Sequence, residues 1–542
     1  MKGNGLGVTC DVDLKVVSKR LPKVDGKSIV RGEAMYTKDF VKEDALFACI
    51  VRSPYAHARI KAIHTADALA MHGVELVLTH EDVPRIPYTT AGQNYPEPSP
   101  YDAFMLDNKV RFVGDRVAVV AARDRLTAEK AARAVRVDYE ILPAVFDPEE
   151  AMTEGAPIIH DEADATGIHD ASRNVAASIY AEVGDVDGGL RKADFVSSHT
   201  YFTQYEQQAP MEPHVTYSYI DQTGRLVIIT ATQVPFHVRR IVARVNDIPI
   251  SRIRVIKPRI GGAFGVKQEI ILEDLCGHIA LRTGKPVLME LTREEEFYGT
   301  RPRHPMKLTC TTGVMKDGTM VANEMRVVAN TGSYGSHGLT VPSNTGSKSM
   351  PLYRAESMRY VAEVAYTNLP VAGAFRGYGA PQGYFAMECH MDEVAREMGM
   401  DPLEFRRKNL IRAGDRDPIA VKLGEGREGF EREIRTCGIE ECINLAGGAV
   451  GKGGRPAGGA PESPPGPFRR IKRGVGFALC MHGTGIPGDD MAGATIKVNE
   501  DGSFNLLIGA TDLGTGSDTI LGQMAAEVLG VSLDDVIVYS SD

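Results

Sequence analysis

The run Ala374-Phe375-Arg376-Gly377-Tyr378-Gly379-Ala380-Pro381-Gln382-Gly383 frames an arginine and a tyrosine with glycines, then turns helix-like. Glycine admits backbone conformations closed to other residues and lets a bulky group come close. An arginine beside such bare backbone suits an anionic or oxygen-rich ligand; the alternative is a tight turn with a surface arginine. A second cluster, Gly261-Gly262-Ala263-Phe264-Gly265, follows the expected strand Ile253–Ile256 and precedes an expected helix over 269–280. Free amides and a helix dipole there would favour an anion, although the spacing matches neither the dinucleotide nor the P-loop pattern. A third turn, holding Gly514 and Gly516, opens an expected helix at Ser517. Gln233 ends the apolar run 226–233 just before a helix expected over 235–246, a position from which side chains of α/β units reach ligands. Its neutral amide can donate to an oxo or hydroxo group without adding charge. Each feature alone also reads as a connector or a cap. Three glycine turns together with the glutamine and the arginine are harder to explain that way.

The elements that must hold these residues can be outlined. Residues 28–146 alternate short buried strands (46–52, 117–121) with an alanine-rich helix over 127–134 capped by Thr127, which predicts a compact α+β domain. The acidic, aperiodic stretch 147–174 reads as a link. Strands dominate 197–412, with hairpin turns at Thr223-Gly224 and Asp317-Gly318 and a helix over 382–398 after the arginine motif. Residues 448–467 are too rich in glycine and proline to bury a core and read as an exposed connector. The last unit has a hairpin at Asp501-Gly502 and a helix that stops at Gly530, with Ile520, Leu521, Met524, Val528 and Leu529 on its apolar face. It closes with a strand over 536–542. That unit is expected to be incomplete, either truncated or finished by another polypeptide.

At 542 residues, two to four domains are expected. The net charge of −9 gives no reason to invoke nucleic acid or an anionic membrane. No apolar run is long enough to span a bilayer, and the first residues lack a signal-peptide core, so a cytoplasmic location is expected. The eight cysteines form no Cys-x-x-Cys pair, and Cys437 and Cys442 read as structural thiols. Redox chemistry would therefore need a non-protein centre or other chains.

Together these segments resemble the molybdenum-binding subunit of the xanthine dehydrogenase and aldehyde oxidase family, most closely the separate molybdenum subunit of bacterial xanthine dehydrogenases. The resemblance starts at Val24-Asp25-Gly26-Lys27 and Arg52-Ser53-Pro54-Tyr55-Ala56-His57-Ala58. It continues through Ala231-Thr232-Gln233, the phenylalanine-glycine turn and the arginine motif. Glu81-Asp82-Val83-Pro84, Thr90-Ala91-Gly92, Val255-Ile256-Lys257-Pro258 and Thr367-Asn368-Leu369-Pro370 are similar to the bacterial branch.

It implies a mixed α/β multidomain chain in five parts. These are an α/β-hammerhead-like domain (20–147), a linker (148–174), a first molybdopterin-binding region (175–447), the Gly/Pro-rich linker (448–467) and the start of a second region (468–542). It also implies a molybdenum–molybdopterin cofactor, in cytosine dinucleotide form in many bacteria. Gln233, Gly262, Phe264, Gly265, Arg376 and Gly514 would contact that cofactor, and Gln233, Phe264 and Arg376 would reach the metal only through it. Tyr378 would line the substrate pocket, with Gln268 where purine-specific relatives carry a substrate-binding glutamate. The implied activity is hydroxylation of xanthine or a related purine with water as oxygen source, electrons passing to a two-iron two-sulfur subunit and an FAD subunit. The alternatives are another N-heterocycle or an aldehyde as substrate, or a non-catalytic assembly subunit. The family's catalytic glutamate lies beyond Asp542, so Glu206, Glu212 and Glu269 are read as structural. Thr515 replaces a cofactor-contacting glutamine of many relatives, and 484–488 lacks an aromatic partner for Tyr378.

Overall fold

The computed structural model describes residues 14–91, 95–424, 432–450, 476–482 and 492–542. The Thr484–Gly488 segment and most of the Gly/Pro-rich connector lie outside these residues.

A seven-stranded sheet organises the first half of the chain. Its order is Ile253–Ile256, Leu226–Thr230, Val215–Ile220, Val287–Glu290, Leu46–Arg52, Arg116–Ala122, Val74–Leu78. Leu46–Arg52 pairs antiparallel with Arg116–Ala122 on one side and parallel with Val287–Glu290 on the other. The hammerhead-like region and the region after it therefore share one sheet and one core, in which Leu46 and Val119 lie with Leu226, Ile241 and Leu275. The period-2 pattern showed that strands exist; which strands pair across distant sequence was set by packing. A smaller sheet of Lys109–Val110, Ala58–His64 and Arg136–Ile141 completes the N-terminal part.

The second large sheet runs Val175–Val183, Ser357–Tyr366, Met320–Gly332, Met306–Val314, Phe195–Thr203. The helix Ala380–Glu397 lies on it, burying Ala386, Met387, His390, Met391, Val394 and Ala395 at helical spacing. Pro381 suits its first turn, and Gly399 at φ 67° stops it. Both hairpins in this half form where expected, joining Val215–Ile220 to Leu226–Thr230 and Met306–Val314 to Met320–Gly332. No helix of the described residues is long and apolar enough to cross a membrane.

Several expectations need correction. The helix expected over 127–134 is Arg125–Ala134, and its cap is Asp124, whose carboxylate accepts from the Thr127 amide at 2.8 Å. The acidic stretch 148–174 packs tightly: Ala151, Ile159, His160 and Asn174 are buried, and Asn174 donates to the Ala151 and Pro157 carbonyls. Its acidity masked these contacts because Asp161 and Glu162 face Lys109 and Arg111. The helix Ile439–Val450 runs into the start of the expected connector.

In the last unit, Ala494–Val498, Phe504–Ile508 and Val536–Ser540 form a three-stranded sheet backed by the helix Ser517–Leu529. That helix buries Thr519, Gly522, Gln523 and Ala526, while Ile520, Met524 and Val528 of the expected core face are exposed. Its polar Thr519 and Gln523 are buried because they bond Val16, Lys19 and Val24, contacts from the far end of the chain that periodicity does not show. On the sheet, Leu507, Ile537 and Tyr539 are also exposed.

Candidate cofactor site

The two glycine turns that stand a hundred residues apart in sequence meet. The Arg376 amide donates to the Phe264 carbonyl at 2.9 Å, and the Gly265 amide donates to Gln233 Oε1 at 2.9 Å. Gln233 is held in turn by its own amide on the Lys267 carbonyl at 2.8 Å. Gly265 sits at φ +105°, and a Cβ there would lie 2.5 Å from the Ala374 carbonyl oxygen, so only glycine lets the turns touch. Gly379, at φ +89°, is pressed equally hard against the Val341 carbonyl. Gly262 has positive φ as well, beside the Phe264 ring.

Two larger residues adopt left-handed backbone here, Phe264 at φ 53° and Tyr378 at φ 44°. Each costs roughly 1–2 kcal/mol, and such strain gathers at ligand sites. The surroundings impose it: Gln208 donates to both the Ala374 and Arg301 carbonyls, and Arg303 donates to the Arg376 carbonyl while its guanidinium covers the Phe375 ring at 3.8 Å.

The junction offers three groups outward. The Phe264 ring is 47% exposed. The Arg376 guanidinium is exposed and has no hydrogen-bond or carboxylate partner among the described residues. Gln233 accepts with Oε1, which leaves its NH2 directed elsewhere. A cation and an amide donor beside an apolar ring on bare backbone suit a flat, oxygen-rich anion. Gln268 is half-buried in the same turn, its amide donating to the Gly265 carbonyl.

Tyr378 differs from the simple picture of a pocket wall. Its hydroxyl is bonded to Thr340 Oγ1 at 2.6 Å and to His337 Nδ1, so the hydroxyl is committed within the fold. His337 is buried, and burial pushes it down to about 4, so it is neutral at pH 7. Behind it lies Glu269, which accepts from Arg301 and from Thr90 at 2.7 Å each. Burial would raise the Glu269 carboxyl, but the Arg301 charge and the Thr90 hydrogen bond outweigh it and lower it. His337, Arg301, Arg303 and Gln208 went unseen in the sequence because isolated polar residues carry no periodic signal.

Glu206, Glu212 and Glu269 all have internal partners: Arg303, Lys267 and Arg301. The helix expected from 269 begins at Glu273 instead, because the backbone at Glu269 bridges to Ala91. The phenylalanine-glycine turn therefore has no helix dipole behind it. Gly514 lies in a different kind of turn: its amide, with those of Gly516 and Asp518, donates to the buried Asp512 carboxylate.

Comparison with known proteins agrees with this architecture. Residues 31–143 match the aldehyde oxidase and xanthine dehydrogenase a/b hammerhead domain, and residues 168–410 and 460–542 each match a molybdopterin cofactor-binding domain. The chain is similar to the probable hypoxanthine oxidase XdhD of Escherichia coli O157:H7, at 38% identity over 98% of this chain and 57% of that one. It is 37% identical to the putative xanthine dehydrogenase molybdenum-binding subunit XdhA of Escherichia coli K12, covering 96% of this chain and 67% of the relative. It is 35% identical to the nicotinate dehydrogenase large molybdopterin subunit of Eubacterium barkeri, covering 74% of this chain and 91% of that one. Among solved structures, the aldehyde oxidoreductase of Desulfovibrio gigas superposes with a TM-score of 0.82 at 28% identity, over 96% of this chain and 55% of the other. The chain thus spans little more than half the length of the first relative.

Proposed function

Because the chain belongs to the aldehyde oxidase and xanthine dehydrogenase family, with molybdopterin cofactor-binding domains, we propose that it is the molybdenum-cofactor subunit of a hydroxylase oxidising xanthine or a related purine. The observation that carries this is the junction of the two turns, where an arginine without a partner among the described residues, a glutamine just past a strand and an exposed phenylalanine converge on strained backbone.

When bound, the molybdenum–molybdopterin group, in our reading the cytosine dinucleotide form, supplies hydroxylation with oxygen from water: R–H + H2O gives R–OH, two protons and two electrons. The chain's own residues bind and orient. Gln233, fixed by the Gly265 amide, would offer its NH2 to an oxygen of the group, Arg376 would offset its negative charge and Phe264 would cover an apolar part of it. Gly262 and Gly265 keep the approach free of side chains, whereas Gly514, the other glycine of the resemblance, lies in a turn closed around Asp512. Tyr378 presents its ring to a planar heterocycle while His337 and Thr340 hold the hydroxyl away from it. Gln268 offers a neutral amide to the substrate.

The proton-abstracting glutamate would come from polypeptide outside these 542 residues. Support for further polypeptide comes from the apolar surface left bare on the last unit: Leu507, Ile537 and Tyr539 on the sheet, with Ile520, Met524 and Val528 on the helix. We propose that a continuation or a separate chain covers it, that iron-sulfur and FAD subunits receive the electrons, and that the assembly works in the cytoplasm.

A second reading, an N-heterocycle such as nicotinate as substrate, is favoured by the neutral Gln268 and by the likeness to the nicotinate dehydrogenase subunit. Metal analysis and substrate-dependent dye reduction on the intact complex separate the readings. The expected result is bound molybdenum with turnover of xanthine or hypoxanthine. Turnover of nicotinate alone replaces the first reading with the second, and a purified complex without molybdenum overturns both in favour of an assembly role.

A further inference from the structure

A second polar cluster lies at the opposite end of the helix Ala380–Glu397, on the order of 15–25 Å along its axis from the arginine turn. His390, Glu393 and Glu397 share one face of that helix. Ser197, His199 and Tyr201 alternate on one face of the edge strand Phe195–Thr203, which packs against it. Ligand atoms of His199, His390 and Glu393 all lie within 4.8 Å of one another.

The hydrogen bonds settle where the ring protons are. Glu397 Oε1 can only accept, so His199 Nε2, 3.1 Å away, carries a proton. Thr312 donates its hydroxyl hydrogen to Asn323 Oδ1 and therefore accepts at 3.0 Å from His390 Nε2. With Nε2 of each ring thus committed, the two Nδ1 atoms face each other, 3.3 Å apart. Glu393 Oε2 faces His199 Nδ1 at 3.2 Å, and Ser197, whose hydrogen goes to Glu397, adds only a lone pair at 3.3 Å. Tyr201 donates to the same Glu393 oxygen. Three acceptors converge on His199 Nδ1, an arrangement that repels unless a metal ion or a proton sits among them.

We propose that His199 Nδ1, His390 Nδ1 and Glu393 bind a divalent transition cation of the zinc type, which fastens the edge strand to the helix. Zinc binds imidazole nitrogen at about 2.0–2.1 Å, so tetrahedral ligands sit about 3.4 Å apart, close to the spacings here. Glu397 and Thr312 on the far ring nitrogens, with Tyr201 on the carboxylate, are the supporting contacts that orient metal ligands. His390 is fully buried while His199 and Glu393 are 29% and 34% exposed at their side chains, which leaves the fourth position to water. The competing occupant is a proton on His199 Nδ1, shared among the same acceptors. The proposal does not depend on the cofactor reading.

Zinc and molybdenum are measured together on the protein as purified with whatever subunits accompany it, and Co2+ is then added to chelator-treated protein. The expected result is about one zinc per chain and tetrahedral Co2+ absorption bands. His199→Ala and Glu393→Gln, both at part-exposed positions, should lower zinc at least ~10-fold and abolish the bands, with molybdenum content and circular dichroism unchanged. His390→Ala serves as a third variant, but its buried site makes folding a concern that the first two avoid. Wild-type protein that carries no zinc and gives no Co2+ bands overturns the proposal in favour of the proton. Zinc retained in full by both surface variants overturns it as well.

Discussion

The Gly261–Gly265 turn with its partner at Gly377–Gly379, and the turn at Gly514–Gly516, look alike in sequence and behave in opposite ways. At the first pair, glycine is demanded by backbone from a distant segment, since the Ala374 carbonyl would lie 2.5 Å from a Cβ on Gly265. The donors left over, Arg376 and the Gln233 NH2, face outward. At Gly514 nothing lies within 4 Å of an added Cβ, and the turn wraps its amides around Asp512. Asp512 also ties the turn to the rest of the chain, because its carbonyl accepts from buried Lys257 at 2.8 Å. One turn is kept bare for something to approach; the other has an internal anion. Glycine content alone does not mark a ligand site; what sets the first pair apart is donors left uncommitted among the described residues on strained backbone.

The hardest test of this contrast is Gly265→Ala. Combining a positive-φ penalty with a backbone clash, it should cost ~3 kcal/mol or more and eliminate bound molybdenum, measured by chemical denaturation and metal analysis. A variant with normal molybdenum content would show that the turns need not touch.

Arg376→Ala should follow. It should lower molybdenum content at least ~10-fold while changing the stability of cofactor-free protein by no more than about 0.5 kcal/mol, since the guanidinium has no partner among the described residues. Full metal occupancy in that variant would remove the arginine from the cofactor site.

Asp512→Ala acts on the other turn. Losing the acceptor for three amides should destabilise residues 492–542 by ~1–3 kcal/mol, read as faster proteolysis or hydrogen exchange there. The same carboxylate gives a pH dependence. Burial raises the Asp512 carboxyl, but the amides of Asp518, Gly514 and Gly516, with Lys23, outweigh it and hold it below its ordinary value. Its stabilisation is thus complete above the unfolded value of about 3.9 and is lost as pH falls through the lower folded one. Proteolytic protection of the last unit should drop below about pH 4 in the wild type, with that component absent in Asp512→Asn.

The smallest effect is expected for Gly514→Ala. With open space around the Cβ, only the strain of φ +97° remains, about 1 kcal/mol, and molybdenum content should stay near normal. A large loss of cofactor in this variant would show that bare backbone at Gly514 matters as much as it does at Gly265.

The motifs were legible because they are local. Gln233 before Pro235, the Phe264 turn and the Arg376 turn could each be found from residue types and spacing, and their order along the chain carried the family resemblance. The helix Ser517–Leu529 was located correctly, from its glycine turn to Gly530, yet its buried side was misassigned because Thr519 and Gln523 bond Val16, Lys19 and Val24 from the far end of the chain. His337, Arg301 and the His199–His390 pair had no such signal. Their partners lie tens to hundreds of residues away, and only chain folding brings them within bonding distance.

By itself, then, the sequence determined which residues are candidates for a cofactor site, where most strands and helices run, and which family the motifs belong to, since all of these depend on short-range pattern. Only the tertiary structure decided that the hammerhead strands share a sheet with the region after them, and that Gly265 lies against Ala374. It also decided that Tyr378 turns its hydroxyl inward and that the Gly514 amides are taken by Asp512. The physical reason is the same in each case: a donor, an acceptor or a bare backbone atom is available to a ligand only if no other part of the folded chain has reached it first.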